Sequence, residues 1–366
     1  MINTGNKEID YLLLLLDSSL NNKPVPKPEG VDMNGLFNLA DSQQVYNIIL
    51  PALENAGLLD EEQKEAWKNY KLTNLKKTLV VDNERKEICR ELDEYKINYM
   101  FLKGLVTREY YPQTSMRQMS DNDILYDETR RSDLVRIMKK RGYYIGASGG
   151  ISDDFYKKPY STFEFHRTLF NEKEDFCPDF DVWKRAERYD SSSTRFIMSR
   201  EDHYLYTLGH MYKHYHCIEG CGIRFICDLY LIRKKETDLD YEYINKMLEE
   251  FGISDFNELT IGLSEAVFEG KELSEGEQDL LNFLFEGGVY GKSDTDIQRE
   301  IEEKGGRFKF LIFRIFPPLG LMKAEYRTLR KAPFLLPVFY IYRIFDKFKN
   351  NRKYMKRDLE ALRNNK

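Results

Sequence analysis

The most constraining feature of this sequence is an apolar run that ends at a Lys-Gly pair and is followed, after a spacer, by an Asp-x-Asp motif that opens a second apolar run. The first run is Tyr99–Leu102 and the second is Ile124–Tyr126. Both are short enough to predict strands, and in a strand alternate side chains share a face, so we expect Asp121 and Asp123 to project together. Two carboxylates on one face repel each other unless a cation lies between them, and Mg²⁺ is the usual occupant.

The turn after the first run carries groups that suit an anion. Gly104 lets backbone N–H groups approach a phosphate closely, while Lys103 and Arg117 add positive charge. Ser120 adds a hydroxyl just before the two aspartates. Each short pattern alone is common in solvated turns, but a phosphate-binding turn beside a paired-carboxylate metal site is typical of nucleotidyl transfer.

The order of these motifs resembles the uncharacterised bacterial nucleotidyltransferase family of the DNA polymerase beta-type nucleotidyltransferase superfamily. In that family Lys-Gly replaces the superfamily's Gly-Ser turn, and Arg-x-x-Ser-Asp-x-Asp supplies the metal site. The family pattern continues with an acid-x-His strand, a histidine-rich helix and a Gly-x-Arg…Asp helix. These are matched by Glu164, His166, His210, His214, Gly222, Arg224 and Asp228. The resemblance spans roughly residues 99–232, with a spacer from Gly104 to Asp121 that is longer than the superfamily's common form.

A third carboxylate is expected one hairpin downstream of the aspartates. The segment Phe163–His166 alternates, which places Glu164 and His166 on one strand face. A third carboxylate in nucleotidyl transfer binds the catalytic metal and accepts the proton of the attacking hydroxyl. Glu164 is the candidate and Asp181 is the reserve, and the alternative for Glu164 is a surface ion pair. His166 is expected to orient a metal ligand or to contact a phosphate, or else to be an ordinary hydrogen-bonded histidine.

Two helical patterns follow. His203, His210 and His214 recur at i, i+7 and i+11, so they share one helix face. We expect one or two of them to line the nucleotide pocket; the alternatives are a structural zinc site and simple packing on the sheet. Arg224 and Asp228 are spaced i, i+4 and are predicted to form a partly buried pair.

The chain of 366 residues is long enough for one or two domains. The patterns divide it into a helical N-terminal segment (1–96), a nucleotidyltransferase α/β core (97–198) and a helical C-terminal region with a basic tail (199–366). The expected fold class is α+β, with a small mixed β-sheet core flanked by extensive helical segments. A long helix from about Asp60 to Lys96 is predicted to pack on the sheet.

Composition favours a soluble cytoplasmic protein. Hydrophobic residues make up 42% and charged residues 32%, which is typical of a globular chain. The five cysteines include no C-x-x-C pair and fit reduced thiols. The apolar run Tyr11–Leu16 is flanked by aspartates and lacks a basic region before it, so we expect neither a signal peptide nor a membrane span there.

The net charge of −5 hides a strong asymmetry. Residues 307–366 hold 16 Lys/Arg and 4 Asp/Glu, a net +12, which leaves −17 for residues 1–306. We expect this tail to fold as helices against the acidic part of the chain, with Phe334–Tyr342 buried. An RNA acceptor bound by the tail and peripheral contact with an anionic membrane are the alternatives.

The predicted function is a metal-dependent nucleotidyltransferase that moves a nucleoside monophosphate from an NTP to an acceptor and releases pyrophosphate. Asp121, Asp123 and Glu164 would hold two Mg²⁺ ions, while Lys103, Gly104 and Ser120 would hold the triphosphate, with Arg117 and His166 assisting. The acceptor is left open between RNA, protein and a small molecule, and the oligomeric state is left open too. The alternative from another class is a non-catalytic scaffold of the same fold that binds a nucleotide or a partner.

Overall fold

A computed structural model describes residues 2–119, 121–149, 151–159, 161–170, 180–217, 220–287 and 333–342, together with Leu329. These residues form helices around one seven-stranded mixed sheet, which confirms the α+β class. Ser120 and most of the basic tail lie outside the described residues.

The described residues fall into two compact units. The first comprises those between 2 and 211 and between 223 and 282, and it contains the whole sheet. The second comprises those between 212 and 222 and those beyond 282. The division at 96/97 and 198/199 stays a prediction.

Four helices precede the sheet: α1 (Lys7–Asn21), α2 (Met33–Ser42), α3 (Tyr46–Asn55) and α4 (Glu61–Glu94). The longest, α4, begins at a capping box in which the Asp60 side chain accepts from the backbone N–H of Gln63 and the Gln63 side chain accepts from that of Asp60. The C-terminal part of α4 packs on the sheet through the buried Ile88 and Leu92, with Val81 and Cys89 partly buried against the same core. The predicted packing is therefore confirmed for the end of α4, whereas Leu79 in its middle is exposed.

The sheet has the strand order β3-β4-β5-β2-β1-β7-β6. The strands are β1 (Tyr99–Phe101), β2 (Asn122–Tyr126), β3 (Tyr144–Gly149), β4 (Ser152–Lys157), β5 (Ser161–His166), β6 (Glu187–Arg188) and β7 (Arg195–Ile197). The pairs β2–β5 and β1–β7 are parallel and the other neighbours are antiparallel. The hairpin predicted around residues 155–169 is confirmed as β4 and β5.

One sheet face forms the core of this part of the chain. It is built from alternate residues of three strands: Ile124, Tyr126, Phe155, Phe163 and Phe165. They pack with residues of α4 and of α6 (Arg131–Lys140), and burying each phenylalanine contributes roughly 1.5–3 kcal/mol. Because side chains alternate along a strand, this packing fixes Asp123 and Glu164 on the opposite face.

A short helix, α5 (Gly104–Thr107), follows β1, and the remaining helices come after the sheet: α7 (Arg200–Cys217), α8 (Arg224–Lys235), α9 (Tyr241–Phe251), α10 (Ser254–Glu269) and α11 (Glu275–Gly287). Most of the described residues between 199 and 287 are thus helical, and the helical region predicted to extend to residue 366 stays a prediction. Within the described ranges, none of the helices combines the length and the apolar character needed to cross a bilayer.

The described piece of the basic tail, residues 333–342, corrects one expectation. Its residues are helical, but Phe334 is 79% exposed, and Val338, Ile341 and Tyr342 are exposed as well. The prediction that this segment is buried is therefore wrong. An apolar pattern at i, i+4, i+7 and i+8 defines one helix face but does not determine what covers it. Apart from Leu329, which is buried, the rest of the tail lies outside the described residues.

Candidate active site

A row of carboxylates crosses three neighbouring strands on the face opposite the core. In the register of the parallel pair β2–β5, Asp123 lies beside Glu164. In the antiparallel pair β4–β5, Glu164 lies beside Asp154. The expected position of Glu164 next to Asp123 is thus observed, although the two residues are 41 positions apart in the chain.

Asp123, Glu164 and His166 form a compact cluster of possible metal ligands. One ligand atom from each lies within 4.8 Å of those of the other two, and in the described part of the chain this is the only such group of three or more His, Cys, Asp or Glu residues. The Nε2 atom of His166 is 3.0 Å from Asp123 Oδ1 and 3.5 Å from Glu164 Oε1. Asp123 is only 3% exposed.

Lys103 brings an ammonium into this cluster. Its Nζ donates to Asp123 Oδ1 at 2.6 Å and lies 3.9 Å from Glu164 Oε2. The backbone of Lys103 has φ +47° and ψ −128°, a conformation that L-residues rarely adopt. This strained turn directs the chain from β1 into α5 and places the side chain over β2.

Charges within the cluster compensate one another. Burial opposes a charged Lys103, but the negative charge of Asp123 outweighs it and raises the pKa of the Lys103 ammonium well above its ordinary value. Burial likewise opposes a charged His166, but hydrogen bonds to Asp123 and Glu164 raise the pKa of His166. For Glu164, burial raises the pKa, yet the hydrogen bond with His166 and the charge of Lys103 hold it below its usual range. The Lys103 ammonium and the hydrogen bonds of His166 therefore offset the charge of the two carboxylates.

The donor set fits a divalent cation. Carboxylate oxygens are the ligands that Mg²⁺ and Mn²⁺ prefer, and an imidazole is an ordinary additional ligand for Mn²⁺ and other transition metals. The second ring nitrogen of His166, Nδ1, is buried and has no hydrogen-bond partner among the described residues. The ring is therefore held through Nε2 alone, on the side of Asp123 and Glu164.

Asp121 lies just outside the cluster. β2 begins at Asn122, so the strand alternation that would align Asp121 with Asp123 does not extend to Asp121. Its negative charge nevertheless contributes to the raised pKa of Lys103. The metal role of Asp121 stays a prediction.

The turn expected to hold phosphates is closely packed. A side chain added at Gly104 would meet the Met119 thioether, with Cγ at 3.0 Å, and the Arg117 guanidinium, with Nη1 at 3.4 Å. A side chain at Gly104 would therefore be tightly packed, and the approaching groups in this structure are side chains of the 117–119 loop. Ser120, expected to help hold the triphosphate, lies outside the described residues.

Arg117 forms a buried ion pair with Asp228 of α8. Its Nε and Nη2 donate to the two Asp228 carboxylate oxygens at 2.8 and 2.7 Å, and Tyr111 donates to the same carboxylate at 2.7 Å. The predicted pairing of Asp228 with Arg224 is therefore wrong. Arg224 instead donates to the Gln44 side chain and to the Gln118 carbonyl. Arg117 binds the Asp228 carboxylate bidentately, so Asp228 is already neutralised without Arg224.

Asp181, the reserve for the third carboxylate, has a local structural role. Its side chain caps a short 3₁₀ turn by accepting from the backbone N–H of Trp183, and it lies 3.8 Å from Lys184. It is not part of the Asp123 cluster. Of the two candidates, Glu164 is the one placed beside Asp123.

The histidines of α7 make different contacts. His203 is buried, with Nε2 3.3 Å from Thr107 Oγ1 and its ring stacked on Tyr110. Thr107 donates its own hydroxyl hydrogen to the Lys103 carbonyl, so the His203 Nε2 carries the proton that Thr107 accepts. His210 stacks on Phe225. His203 thus supports the Lys103 turn, and the pocket-lining role stays a prediction.

Two residues near the cluster were missed by the sequence interpretation. Asp154 could have been found, because β4 alternates and Asp154 must face opposite to its buried neighbour Asp153. Tyr206 of α7 could not have been found, because α7 is rich in aromatic residues and no sequence pattern distinguishes this tyrosine from the others. Its hydroxyl interacts electrostatically with Lys103, Asp123 and Glu164.

The sequence profile of a protein family matches this chain. Residues 29–269 match the sequence profile of a family described as uncharacterised nucleotidyltransferase, and this match spans the sheet, the carboxylate cluster and α7–α10. No curated protein matches the chain. The chain belongs to this family of uncharacterised nucleotidyltransferases.

Proposed function

We propose that this nucleotidyltransferase moves a nucleoside monophosphate from an NTP to an acceptor in a metal-dependent reaction at the Asp123 cluster. The observation that carries the proposal is the side-by-side placement of Asp123 and Glu164 with His166 within ligand distance. In the reaction, an acceptor oxygen forms a bond to the α-phosphorus, the bond from that phosphorus to the β-phosphate oxygen breaks, and pyrophosphate leaves.

Asp123, Glu164 and His166 are the proposed ligands, with Asp121 as the further carboxylate toward a second ion. A bound divalent cation would polarise the phosphate oxygens and offset the charge that develops on them. Lys103 supplies a positive charge from the protein itself, and its ammonium can pass from Asp123 to a phosphate oxygen, since both are anionic acceptors. Glu164 is the proposed proton acceptor for the acceptor hydroxyl.

The cluster favours catalysis over a purely scaffolding role. Close carboxylates on one sheet face raise each other's energy, and burial adds a desolvation cost. A module that binds partners gains nothing from this arrangement, whereas a nucleotidyltransferase uses the carboxylates to hold a cation and the Lys103 ammonium to neutralise phosphate charge. Arg117 contributes less positive charge toward the phosphates than expected, because the Asp228 carboxylate already neutralises its guanidinium.

The acceptor is proposed to be RNA, a protein or a small molecule with a free hydroxyl or phosphate. The net charge of +12 over residues 307–366 favours an anionic acceptor such as RNA. If RNA is the acceptor, its binding weakens steeply as salt concentration rises, because each neutralised phosphate releases counterions.

The test is a transfer assay with each of the four NTPs labelled at the α-phosphorus, in Mg²⁺ or in Mn²⁺, with RNA, protein and small-molecule acceptors. We expect label on one acceptor class and stoichiometric pyrophosphate. Asp123→Asn should abolish transfer while leaving the fold intact. Asp127→Asn, at the other end of β2 where Asp127 caps a 3₁₀ turn, is the matched control and should retain transfer. Absence of labelled product with every NTP and metal, or full activity of Asp123→Asn, contradicts the proposal.

A further inference from the structure

Tyr206 has a buried hydroxyl with no hydrogen-bond partner among the described residues. The residue is 1% exposed and lies on α7. Its ring is held in place by edge contacts with Phe170 and His210, at centroid distances of 5.6 and 6.0 Å. The side chain is thus fixed, and its polar end is the part left unsatisfied.

Other buried tyrosines of the same region do not share this feature. The Tyr204 hydroxyl, two residues earlier on α7, donates to the Asn257 side chain. The Tyr111 hydroxyl donates to Asp228 at 2.7 Å. Buried hydroxyls are normally paired, because leaving one unpaired forfeits its hydration without compensation. Among the described residues the hydroxyl of Tyr206 is therefore an exception, and it is available to a bound ligand.

α7 packs against the turn that carries Lys103: three residues before Tyr206, the His203 Nε2 lies 3.3 Å from Thr107 Oγ1, and Thr107 donates to the Lys103 carbonyl. The charges that act on the Tyr206 hydroxyl are accordingly those of the candidate active site. Besides burial, the groups that affect it are Lys103, Asp123, Glu164 and Asp121, in decreasing order. Burial and the nearby carboxylates raise its pKa above the ordinary value, so it keeps its hydrogen at every working pH. Tyr206 is thus a permanent hydrogen-bond donor near the cluster, and it donates to neither Asp123 nor Glu164 although both are acceptors.

We propose that the Tyr206 hydroxyl donates a hydrogen bond to a phosphate oxygen of the NTP bound at the Asp123 cluster. This inference rests on the proposed nucleotidyl transfer and adds to it a residue that contacts the substrate from α7. Phosphate oxygens are the acceptors that nucleotidyl transfer must bring next to Lys103. The ring contacts already orient this uncharged donor, so only the groups that cover it, such as the Lys103 ammonium, have to move when the nucleotide binds.

The test compares Tyr206→Phe with the matched control Tyr204→Phe. Phenylalanine keeps the ring contacts of each site and removes only the hydroxyl. Because the Tyr206 hydroxyl is unpaired in the protein alone, Tyr206→Phe should leave the Tm unchanged or raise it. Its kcat/KM for transfer should fall about 10- to 100-fold, the loss expected for a hydrogen bond to a charged group. Tyr204→Phe should do the reverse, lowering the Tm and leaving transfer near the parental rate.

Binding of each Mg-NTP, measured by calorimetry on the intact chain, gives a second readout. Tyr206→Phe should weaken NTP binding more than nucleoside binding, because the proposed contact is to a phosphate. A parental kcat/KM in Tyr206→Phe, or a fall in its Tm, overturns the inference. If Asp123→Asn is inactive while Tyr206→Phe is fully active, the proposed function stands and only the role of Tyr206 is lost. If the parent protein neither transfers nor binds any NTP, both proposals fail.

Discussion

Asp123 and Glu164 lie side by side on two parallel strands, and Lys103 reaches both carboxylates from the turn after β1. A parallel pair cannot be closed by a tight hairpin, so the segment between these strands, which includes α6 and the β3–β4 hairpin, sets their register. The core face formed by Phe163 and Phe165 then prevents a one-residue slip, since a slip would bury Glu164 and expose both rings.

Glu164→Gln is expected to lower the transfer rate far more than the affinity for NTP. The amide keeps the size and one acceptor of the side chain, but it cannot accept a proton and binds a cation weakly. Steady-state kinetics should show a fall in kcat of about 100-fold or more with a small change in KM. Asp181→Asn is the control, because asparagine also caps well and transfer should be unaffected. The reverse result, an inactive Asp181 variant and an active Glu164 variant, contradicts the assignment.

Lys103 has two separable roles, one through its backbone and one through its ammonium. Glycine adopts positive φ without strain, so Lys103→Gly should be more stable than Lys103→Ala by about 1 kcal/mol. Both variants lack the ammonium that offsets Asp123, so both should lose most transfer activity. Urea unfolding of the two variants measures the difference in free energy of unfolding. Equal stability of the glycine and alanine variants would show that the turn is unstrained.

The buried pair between Arg117 and Asp228 is expected to stabilise the position of α8. Asp228→Asn leaves the Arg117 guanidinium buried without a counter-charge, so the free energy of unfolding should fall by about 3–5 kcal/mol. Asp238→Asn, which breaks an exposed pair with Arg200, is the control and should change stability little. A loss at Asp228 no larger than that at Asp238 contradicts this account.

His203 should make the protein sensitive to mild acid. Burial lowers the pKa of His203 from 6.5 to about 4. Above pH 6.5 neither state binds the proton and the effect is absent. Between pH 6.5 and 4 the unfolded chain binds a proton that the native state does not, so stability falls as pH falls, by about 3 kcal/mol in total.

His203→Gln retains a donor for Thr107 and removes this titration. The variant should match the parent near pH 7.5 and lose less stability than the parent between pH 6.5 and 4, measured by urea unfolding. Parallel stability curves for the two proteins over that range would assign the acid sensitivity to other groups.

The sequence alone determined the α+β class, the family resemblance and the strand faces around the candidate site. Alternation is a local property, so Phe163 to His166 specified which side chains point away from the core before any contact was known. The same rule placed Glu164 beside His166. The alternation rule did not predict the orientation of Asp121, because whether the strand begins at Asp121 or at Asn122 depends on the pairing with neighbouring strands.

Only the tertiary structure decided which charges meet. Arg117 and Asp228 are 111 positions apart, and the sequence had offered Asp228 a nearer partner in Arg224. The exposure of the apolar face of residues 333–342 could not be predicted from the sequence either. Helical periodicity shows which face is apolar, but it does not show whether another element packs on that face. Tyr206 is the clearest case: its proposed role depends on how α7 packs against the Lys103 turn, and no neighbour in the chain indicates that packing.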